Sequence, residues 1–291
     1  MIFVSGANGQ FANAVIRNLL AAGRATDLVV GTRDVTTRFA RQLAGQGVQV
    51  RTADFREPDT MRSALEGVSK ALLIPTYDPN DQRLRQNLNA LEAARAAGVR
   101  HVVYASFVHA ESTLVEHSRL VHYPTEQAIR ASGLGFTILR HALYAEILVG
   151  DLKSTLASGV FRRSGGHARC AYIAREDLGA SAAQLLMRDE PSGRTYSETM
   201  ERTWSGDEIA ALMSEVFGRP VRYEAVPAAD WPRYMTETWG VPPELSKSVL
   251  GTMQAIEAGE FDLVSHDYAA ITGRPPRTLR SFLEGVRASA G

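Results

Sequence analysis

The chain has 291 residues, 45% of them hydrophobic, and its 32 basic side chains are balanced by 32 acidic ones. That length is ample for a packed core, and the absence of net charge argues against a nucleic-acid partner, which needs a concentrated positive face. A single cysteine, Cys170, leaves no disulfide framework and no thiolate metal cluster. No apolar run approaches the roughly 18 residues of a membrane span, and the first residues lack the basic start of a secretory signal. The expected setting is the cytoplasm, with no membrane partner.

Residues 2–4, Ile-Phe-Val, read as a short buried strand, and Gly6-Ala7-Asn8-Gly9 breaks it. Over residues 10–22, Phe11, Val15, Ile16, Leu19 and Leu20 recur at helical spacing, with Gly23 as the stop. A strand at 28–32, a helix near 38–44, a strand at 48–53 and a short helix at 59–65 follow. The alternation continues with a strand at 71–74, a long helix at 82–97, and strands at 101–106 and 136–139. Strands separated by helices in this way make βαβ units, and so an α/β fold with a doubly wound parallel sheet of the Rossmann type. Its ligand crevice lies beyond the C-terminal ends of the strands.

Residues 1–150 are therefore expected to form a nucleotide-binding domain, and residues 151–291 a smaller, mainly substrate-binding α/β cap. Within the second half, a strand at 171–173 and a helix at 177–187, inside the stretch 171–190, are expected to return to the Rossmann body. The stretches 204–217, 221–226 and 231–239 read as cap.

Ser5-Gly6-Ala7-Asn8-Gly9-Gln10-Phe11-Ala12 joins the first strand to the first helix in the pattern G-x-x-G-x-x-A. The first glycine permits a tight turn, the second lets backbone approach a pyrophosphate, and small Ala12 lets helix pack on strand. The helix start adds N–H groups and partial positive charge. A place after an apolar strand, inside a βαβ unit, makes this a dinucleotide signal rather than an ordinary turn. NAD enzymes set an acidic residue at the tip of strand two, where it would repel a 2′-phosphate. Here Arg33 comes first, then Asp34, with Arg38 close by. A guanidinium suits bidentate phosphate contact, so NADP(H) is the favoured cofactor. The other assignment leaves Arg33 solvated and gives the ribose to Asp34.

With these residues in place, the chain resembles the NmrA-like atypical short-chain dehydrogenase/reductases, most of all their branch of triphenylmethane reductases and NADPH-dependent quinone oxidoreductases. The resemblance runs over essentially the whole chain. It rests on Ser5 to Gln10, Ala53-Asp54-Phe55, Ala71-Leu72-Leu73-Ile74, Ala96-Ala97-Gly98-Val99 and Tyr104-Ala105-Ser106. His122 with Thr125-Glu126, the segment 135–140 and Tyr144 complete it. The resemblance implies that Gly6, Asn8, Gly9, Gln10 and Phe11 wrap the pyrophosphate and that Arg33 takes the 2′-phosphate. Asp54 and Phe55 would flank the adenine, and Ile74, Pro75 and Thr76 would line the cofactor channel. Tyr104, Ala105 and Ser106 would lie near the nicotinamide. Nearly all of these fall at predicted strand C-termini, where topology independently puts the crevice.

The Tyr-x-x-x-Lys relay of many short-chain dehydrogenases is missing. Tyr123 is followed at that spacing by Gln127 and Tyr104 by Val108, while Lys70, Lys153 and Lys247 are the only lysines. Ser106 keeps the place of the relay's serine, and is a catalytic candidate, although a hydroxyl at a strand end is often a turn-former. His122-Tyr123-Pro124-Thr125-Glu126 reads as a helix entry. His122 is either part of that entry or a catalytic group that bonds the nicotinamide ribose or donates a proton. His141 and Tyr144, just after strand six, are candidates for substrate contact, and Phe107, Tyr77, Trp231, Tyr234 and Trp239 for an aromatic pocket.

A site without the relay suits hydride transfer to an electron-poor acceptor that stabilises the product charge itself, with the protein supplying orientation and water exclusion. The expected activity is an NADPH-dependent reductase of a quinone or similar conjugated aromatic small molecule. The alternative is a non-catalytic NADP(H)-sensing regulatory protein of the NmrA type; an epimerase or dehydratase is disfavoured by the missing pair. No metal is expected, because His109, His117 and His122 have neither cysteine partners nor H-E-x-x-H spacing, and no G-x-S-x-G elbow marks a hydrolase. The polar stretch 108–121 reads as a solvated flap over the cofactor. The oligomeric state stays open.

Overall fold

The computed structural model describes residues 1–112, 114–189 and 192–290. Its first half alternates strictly: β1 (Ile2–Val4), α1 (Gln10–Ala21), β2 (Leu28–Thr32), α2 (Arg38–Gly45), β3 (Gln49–Thr52) and α3 (Pro58–Ala64). Then come β4 (Lys70–Leu73), α4 (Asn80–Ala96), β5 (His101–Phe107), α5 (Tyr123–Ala131) and β6 (Gly135–His141). The second half holds β7 (Leu143–Tyr144), α6 (Leu152–Ser158), β8 (Val160–Arg163), β9 (Tyr172–Ile173), α7 (Arg175–Met187) and β10 (Arg194–Glu198). It ends with α8 (Gly206–Phe217), β11 (Arg222–Ala225), α9 (Trp231–Trp239), α10 (Pro243–Ser248), α11 (Leu250–Glu257), α12 (Asp267–Thr272) and α13 (Leu279–Ala290).

Seven strands form one parallel sheet in the order β3-β2-β1-β4-β5-β6-β10. The central strands are covered on both faces, so Ile2–Val4 and Leu28–Thr32 are buried throughout and are mostly apolar. The edge strand β3, Gln-Val-Arg-Thr, is half open and correspondingly polar. Chain direction across the sheet reverses between β1 and β4, and that switch point is where the strand ends open a ligand crevice.

The strand at 171–173 pairs with Leu143–Tyr144 in a separate two-stranded ladder and does not join the main sheet. The seventh strand is Arg194–Glu198, an edge strand with no apolar run to announce it. The stretch 108–121 is also more than a solvated cover. Val108, Ala110, Val115, Ser118 and Val121 are buried, and a π-helical turn, Ser118–His122, leads into α5. Thr113 of that stretch lies outside the described residues. β8 and β11 pair in parallel away from the main sheet. Among the described residues, no helix is long and apolar enough to cross a membrane.

α7 packs along α1, and their approach is set by Gly179. A Cβ at Gly179 would lie 2.4 Å from the Cβ of Ala14 and 2.6 Å from its carbonyl carbon. Neither can swing aside, since one is bound to backbone and the other is backbone. Gly179→Ala is expected to cost about 1–3 kcal/mol by forcing the helices apart, read as a lower urea midpoint at unchanged slope. An unaltered midpoint would show that the pair has slack.

Candidate functional site

The crevice is built on the loop between β1 and α1. Ser5 Oγ accepts from the Ile74 N–H at 2.8 Å, which ties the ends of β1 and β4 together at the switch point. Gly6 has φ +67°, a conformation glycine adopts without strain, and the Ala7 N–H donates to Gly31 O at 3.1 Å. Asn13 Nδ2 donates to Ala7 O at 2.7 Å and Gly9 O at 2.8 Å, so the first turn of α1 clamps its own entry loop. No side chain caps α1, which leaves its first-turn N–H groups for an anion.

A cavity of about 300 Å³ runs from this loop across the ends of β2, β3 and β4. Gly6, Asn8 and Gly9 form one wall, Arg33, Asp54 and Phe55 the far wall, and Ile74, Pro75 and Thr76 the floor, with Gly31, Arg56, Tyr77 and Asp78 completing it. The floor is braced by Gln86 of α4, which accepts from the Thr76 hydroxyl and donates to Asp78 at 2.6 Å. A wider open groove of about 630 Å³, around Gly159, Ser214 and Arg222, belongs to the C-terminal part and touches none of these residues.

The charges on the far wall discriminate between the two cofactor assignments. Arg33 is exposed and makes no hydrogen bond or ion pair among the described residues, though Asp54 feels its charge. The Asp34 carboxylate is engaged in its own turn, accepting from the Thr36 hydroxyl at 2.6 Å and the Thr36 N–H at 2.7 Å. Those bonds, the hydroxyl's first, hold it below the usual carboxylate range. Asp54 is gripped by Arg56 at 2.6–3.1 Å. An unpaired guanidinium on the wall, helix amides at the loop and a glycine-lined approach together fit a dinucleotide with a 2′-phosphate.

The other predicted residues lie deeper. Gln10 faces a neighbouring depression with Asn8, Arg17 and Glu176, and Phe11 is buried with its ring edge-on to His141 at 4.9 Å. Tyr104, Ala105 and Ser106 are buried in β5 and do not line the cavity itself. The Tyr104 hydroxyl accepts from Asn87 Nδ2 at 3.1 Å and meets His122 Nδ1, also at 3.1 Å. With the hydroxyl donating in that contact, the other ring nitrogen of His122 is the N–H donor. Burial pushes Tyr104 well up and, with the nearby charge of His117, His122 well down; burial and Arg83 bring His117 to about 4. All three are neutral at pH 7. Ser106 Oγ donates to Glu126 Oε1 at 2.6 Å, and Glu126 in turn pairs with Arg140 at 2.6 Å.

His141 and Tyr144 are brought together, Nδ1 to hydroxyl at 3.4 Å, and the Arg175 guanidinium lies over the Tyr144 ring at 4.3 Å. His141 Nε2 stands 3.4 Å from the Glu198 carboxyl of β10, and both groups are almost fully buried. This is not an ion pair. Burial raises Glu198 to about 8 and lowers His141 to about 3, so an un-ionised acid faces a neutral ring at pH 7. Between pH 6.5 and 8 Glu198 keeps its proton only when folded, so its own contribution to the unfolding free energy is expected to fall by about 1–2 kcal/mol. The buried His117, His122 and His141 act in the opposite sense, since they are neutral in the fold and still partly protonated in the unfolded chain near pH 6.5. Urea titrations of wild type and Glu198→Gln at the two pH values isolate the acid: the stability of wild type relative to the variant should fall by about 1–2 kcal/mol, and an unchanged difference would mean the acid is ionised in the fold.

The expected aromatic pocket divides. Trp231, Tyr234 and Trp239 pack on one another at 5.2–5.6 Å within α9, whereas Phe107 sits with His117 and His122 at 4.9 and 6.2 Å. Tyr77 stands exposed at the cavity rim. Lysine is absent from the cluster: Lys70 is spent on the Arg188 carbonyl and Asp189, and Lys153 and Lys247 are on the surface. Sequence reasoning passed over Asn13, Gln86, Asn87 and Glu198, because their roles depend on side chains meeting across elements rather than on spacing.

Residues 1–266 match the NmrA-like family. The chain is 31% identical over 280 residues to quinone oxidoreductase 2 of Escherichia coli (strain K12), covering 96% of both chains. It is 30% identical to the NAD(P)H azoreductase of Xenophilus azovorans, over 100% of this chain and 99% of that one. The crystal structure of the Citrobacter sp. triphenylmethane reductase complexed with NADP(H) matches with a TM-score of 0.91 and 32% identity, over 98% of this chain and 99% of that one.

Proposed function

We propose, starting from the fact that the chain belongs to the NmrA-like family, that it is an NADPH-dependent reductase passing hydride to a quinone or a similarly conjugated aromatic acceptor. One observation carries this reading: the fold combines a phosphate seat holding an unpaired Arg33 with a buried cluster of Tyr104, His117 and His122 that contains no lysine. Bound there, the reduced nicotinamide supplies two electrons and a proton as hydride. The chain's own residues hold and orient. α1 N–H groups and the Gly6–Gly9 backbone take the pyrophosphate, Arg33 the 2′-phosphate, and Asp54 and Phe55 the adenine end. Gln10 and Phe11 contribute their backbone N–H groups at the start of α1, and Ile74, Pro75 and Thr76 line the cofactor's path toward Tyr104 and Ala105.

In this reading His122, fixed by the Tyr104 hydroxyl, presents a neutral N–H to an acceptor oxygen. Ser106 acts through Glu126, its proton being committed there, and His141 and Tyr144 meet the acceptor from the opposite flank. Two relatives whose names specify quinone and azo acceptors, and a solved neighbour named for triphenylmethane reduction, support a conjugated aromatic substrate. We place the activity in the cytoplasm. Steady-state NADPH oxidation against a panel of quinones, azo dyes and cationic triarylmethane dyes tests it. Acceptor-dependent consumption, faster with NADPH than NADH, is expected. Background rates across the panel with NADPH binding intact would instead favour an NADP(H)-sensing regulator.

A further inference from the structure

Arg83 has no place in the cofactor seat just described, yet it is poorly solvated and unmatched. Its Nε is buried and finds no hydrogen-bond partner, and the guanidinium makes no ion pair among the described residues. On α4 it stands one turn before Asn87, and so on the same face. Asn87 reaches down to Tyr104 at 3.1 Å and Thr125 at 3.2 Å. The start of α4 follows the C-terminal end of β4, so that turn lies at the level of the crevice, directly above the Tyr104–His122 pair.

The neighbours that feel its charge locate it further. They are Tyr104, His117 and His122 of the buried cluster, and Tyr77 and Asp78, which line the cavity. Tyr77 also interacts with Tyr144, so the Arg83 flank and the His141–Tyr144 flank meet at the rim. Asp78, the single carboxylate in this set, is bonded by Gln86. Tyr104, His117 and His122 are neutral at pH 7. A part-buried cation facing neutral rings costs the fold stability unless a ligand brings the opposite charge.

The geometry points to Arg83 as the group that holds a negatively charged oxygen of the acceptor. This rests on the reductase reading and narrows its substrate class to conjugated acceptors that carry, or acquire on reduction, an anionic oxygen. Two sources share that chemistry. An acid substituent such as a sulfonate or carboxylate is anionic from the start. A quinone becomes so: it gains two electrons and one proton as hydride from NADPH, one carbonyl oxygen becomes phenolate, and that phenolate takes its second proton from water. A cationic triarylmethane dye, which ends as a neutral molecule, gains nothing from Arg83.

The test uses Arg83→Met and Arg83→Lys in the full chain. Because an unpaired, part-buried charge is removed, Arg83→Met should unfold at the same urea concentration as wild type or a higher one; marked destabilisation would assign Arg83 to the fold and overturn the inference. With the protein saturated in NADP⁺, so that nothing turns over, 1,4-naphthoquinone-2-sulfonate and 1,4-naphthoquinone are titrated calorimetrically. If the acid substituent is the source, Arg83→Met weakens the sulfonate by about 10–100-fold and leaves the neutral quinone unchanged. If the phenolate is the source, both dissociation constants hold, while kcat for the neutral quinone falls by about 10–100-fold and that for a cationic dye does not. In either case Arg83→Lys restores part of the loss. Weakened NADPH binding with both acceptors slowed alike would place Arg83 at the cofactor, and no change in any arm would leave it without a role; each overturns the inference. The sulfonate titration needs no turnover, so it reads Arg83 even where the reductase reading fails for want of any acceptor.

Discussion

Arg33→Ala is expected to weaken NADPH by about 10–100-fold and to leave NADH unchanged, because one charge-assisted contact to a phosphate is worth about 1.5–3 kcal/mol. The size of the effect follows from how little else competes for the guanidinium. Among the described residues it has no bonded partner, and Asp34, which would repel a 2′-phosphate, is turned into its own Thr36 loop. Arg38, exposed at the first position of α2, can supply the remaining attraction. Quenching of protein fluorescence by each nucleotide, on wild type and variant, measures both affinities directly. Equal affinity of the wild type for NADPH and NADH would refute the assignment of the 2′-phosphate to Arg33.

Arg140→Leu is expected to be the most damaging single change for stability, at about 3–5 kcal/mol, since it strands a carboxylate inside the protein. Glu126 is fully buried, and Arg140 reaches its two oxygens at 2.6 and 2.9 Å. What remains is the Ser106 hydroxyl at 2.6 Å and Arg130 at 3.8 Å, too little to neutralise it. The loss should not be additive. Glu126→Leu combined with Arg140→Leu removes both charges, and such replacements are often close to neutral, so the double variant should recover most of the stability of the wild type. Urea unfolding of the four proteins closes the cycle. A double variant as unstable as Arg140→Leu would show that shape, not charge, is what Arg140 contributes. Because the pair connects the ends of β5, α5 and β6, Arg140→Leu should also disturb Ser106.

Most of the sheet was legible from one physical signal, the switch between short buried apolar runs and longer stretches of helical period. β1, β2, β4, β5 and β6 announce themselves that way because central parallel strands are covered on both faces. β10 does not. Arg-Thr-Tyr-Ser-Glu lies at an edge, where no face demands an apolar run, and only its pairing to β6 identifies it. The strand at 171–173 is the converse. Its apolar residues report burial but not partner, and the partner is Leu143–Tyr144. Polar composition misled in the same way at 108–121, where every few residues one small or apolar side chain goes inside.

The cavity wall was readable because its residues are backbone turns and strand tips, fixed by position in the βαβ unit. Gly6, Asn8, Gly9, Arg33, Asp54, Phe55, Ile74, Pro75 and Thr76 come together on one cavity. The buried cluster behind it was not. Arg83 and Asn87 lie on α4, His117 just before the Ser118–His122 turn and Glu198 on β10, and each gains its meaning only from the groups that other elements bring against it.

The central claim is that bound NADPH here gives hydride directly to a conjugated acceptor, without a tyrosine–lysine relay. Single-turnover stopped flow with NADPH, protiated or deuterated at both C4 positions of the dihydronicotinamide, measures this most directly. The account predicts that a quinone accelerates the loss of bound NADPH and that deuteration slows that step. Decay of bound NADPH that no quinone, azo dye or triarylmethane dye accelerates would contradict it.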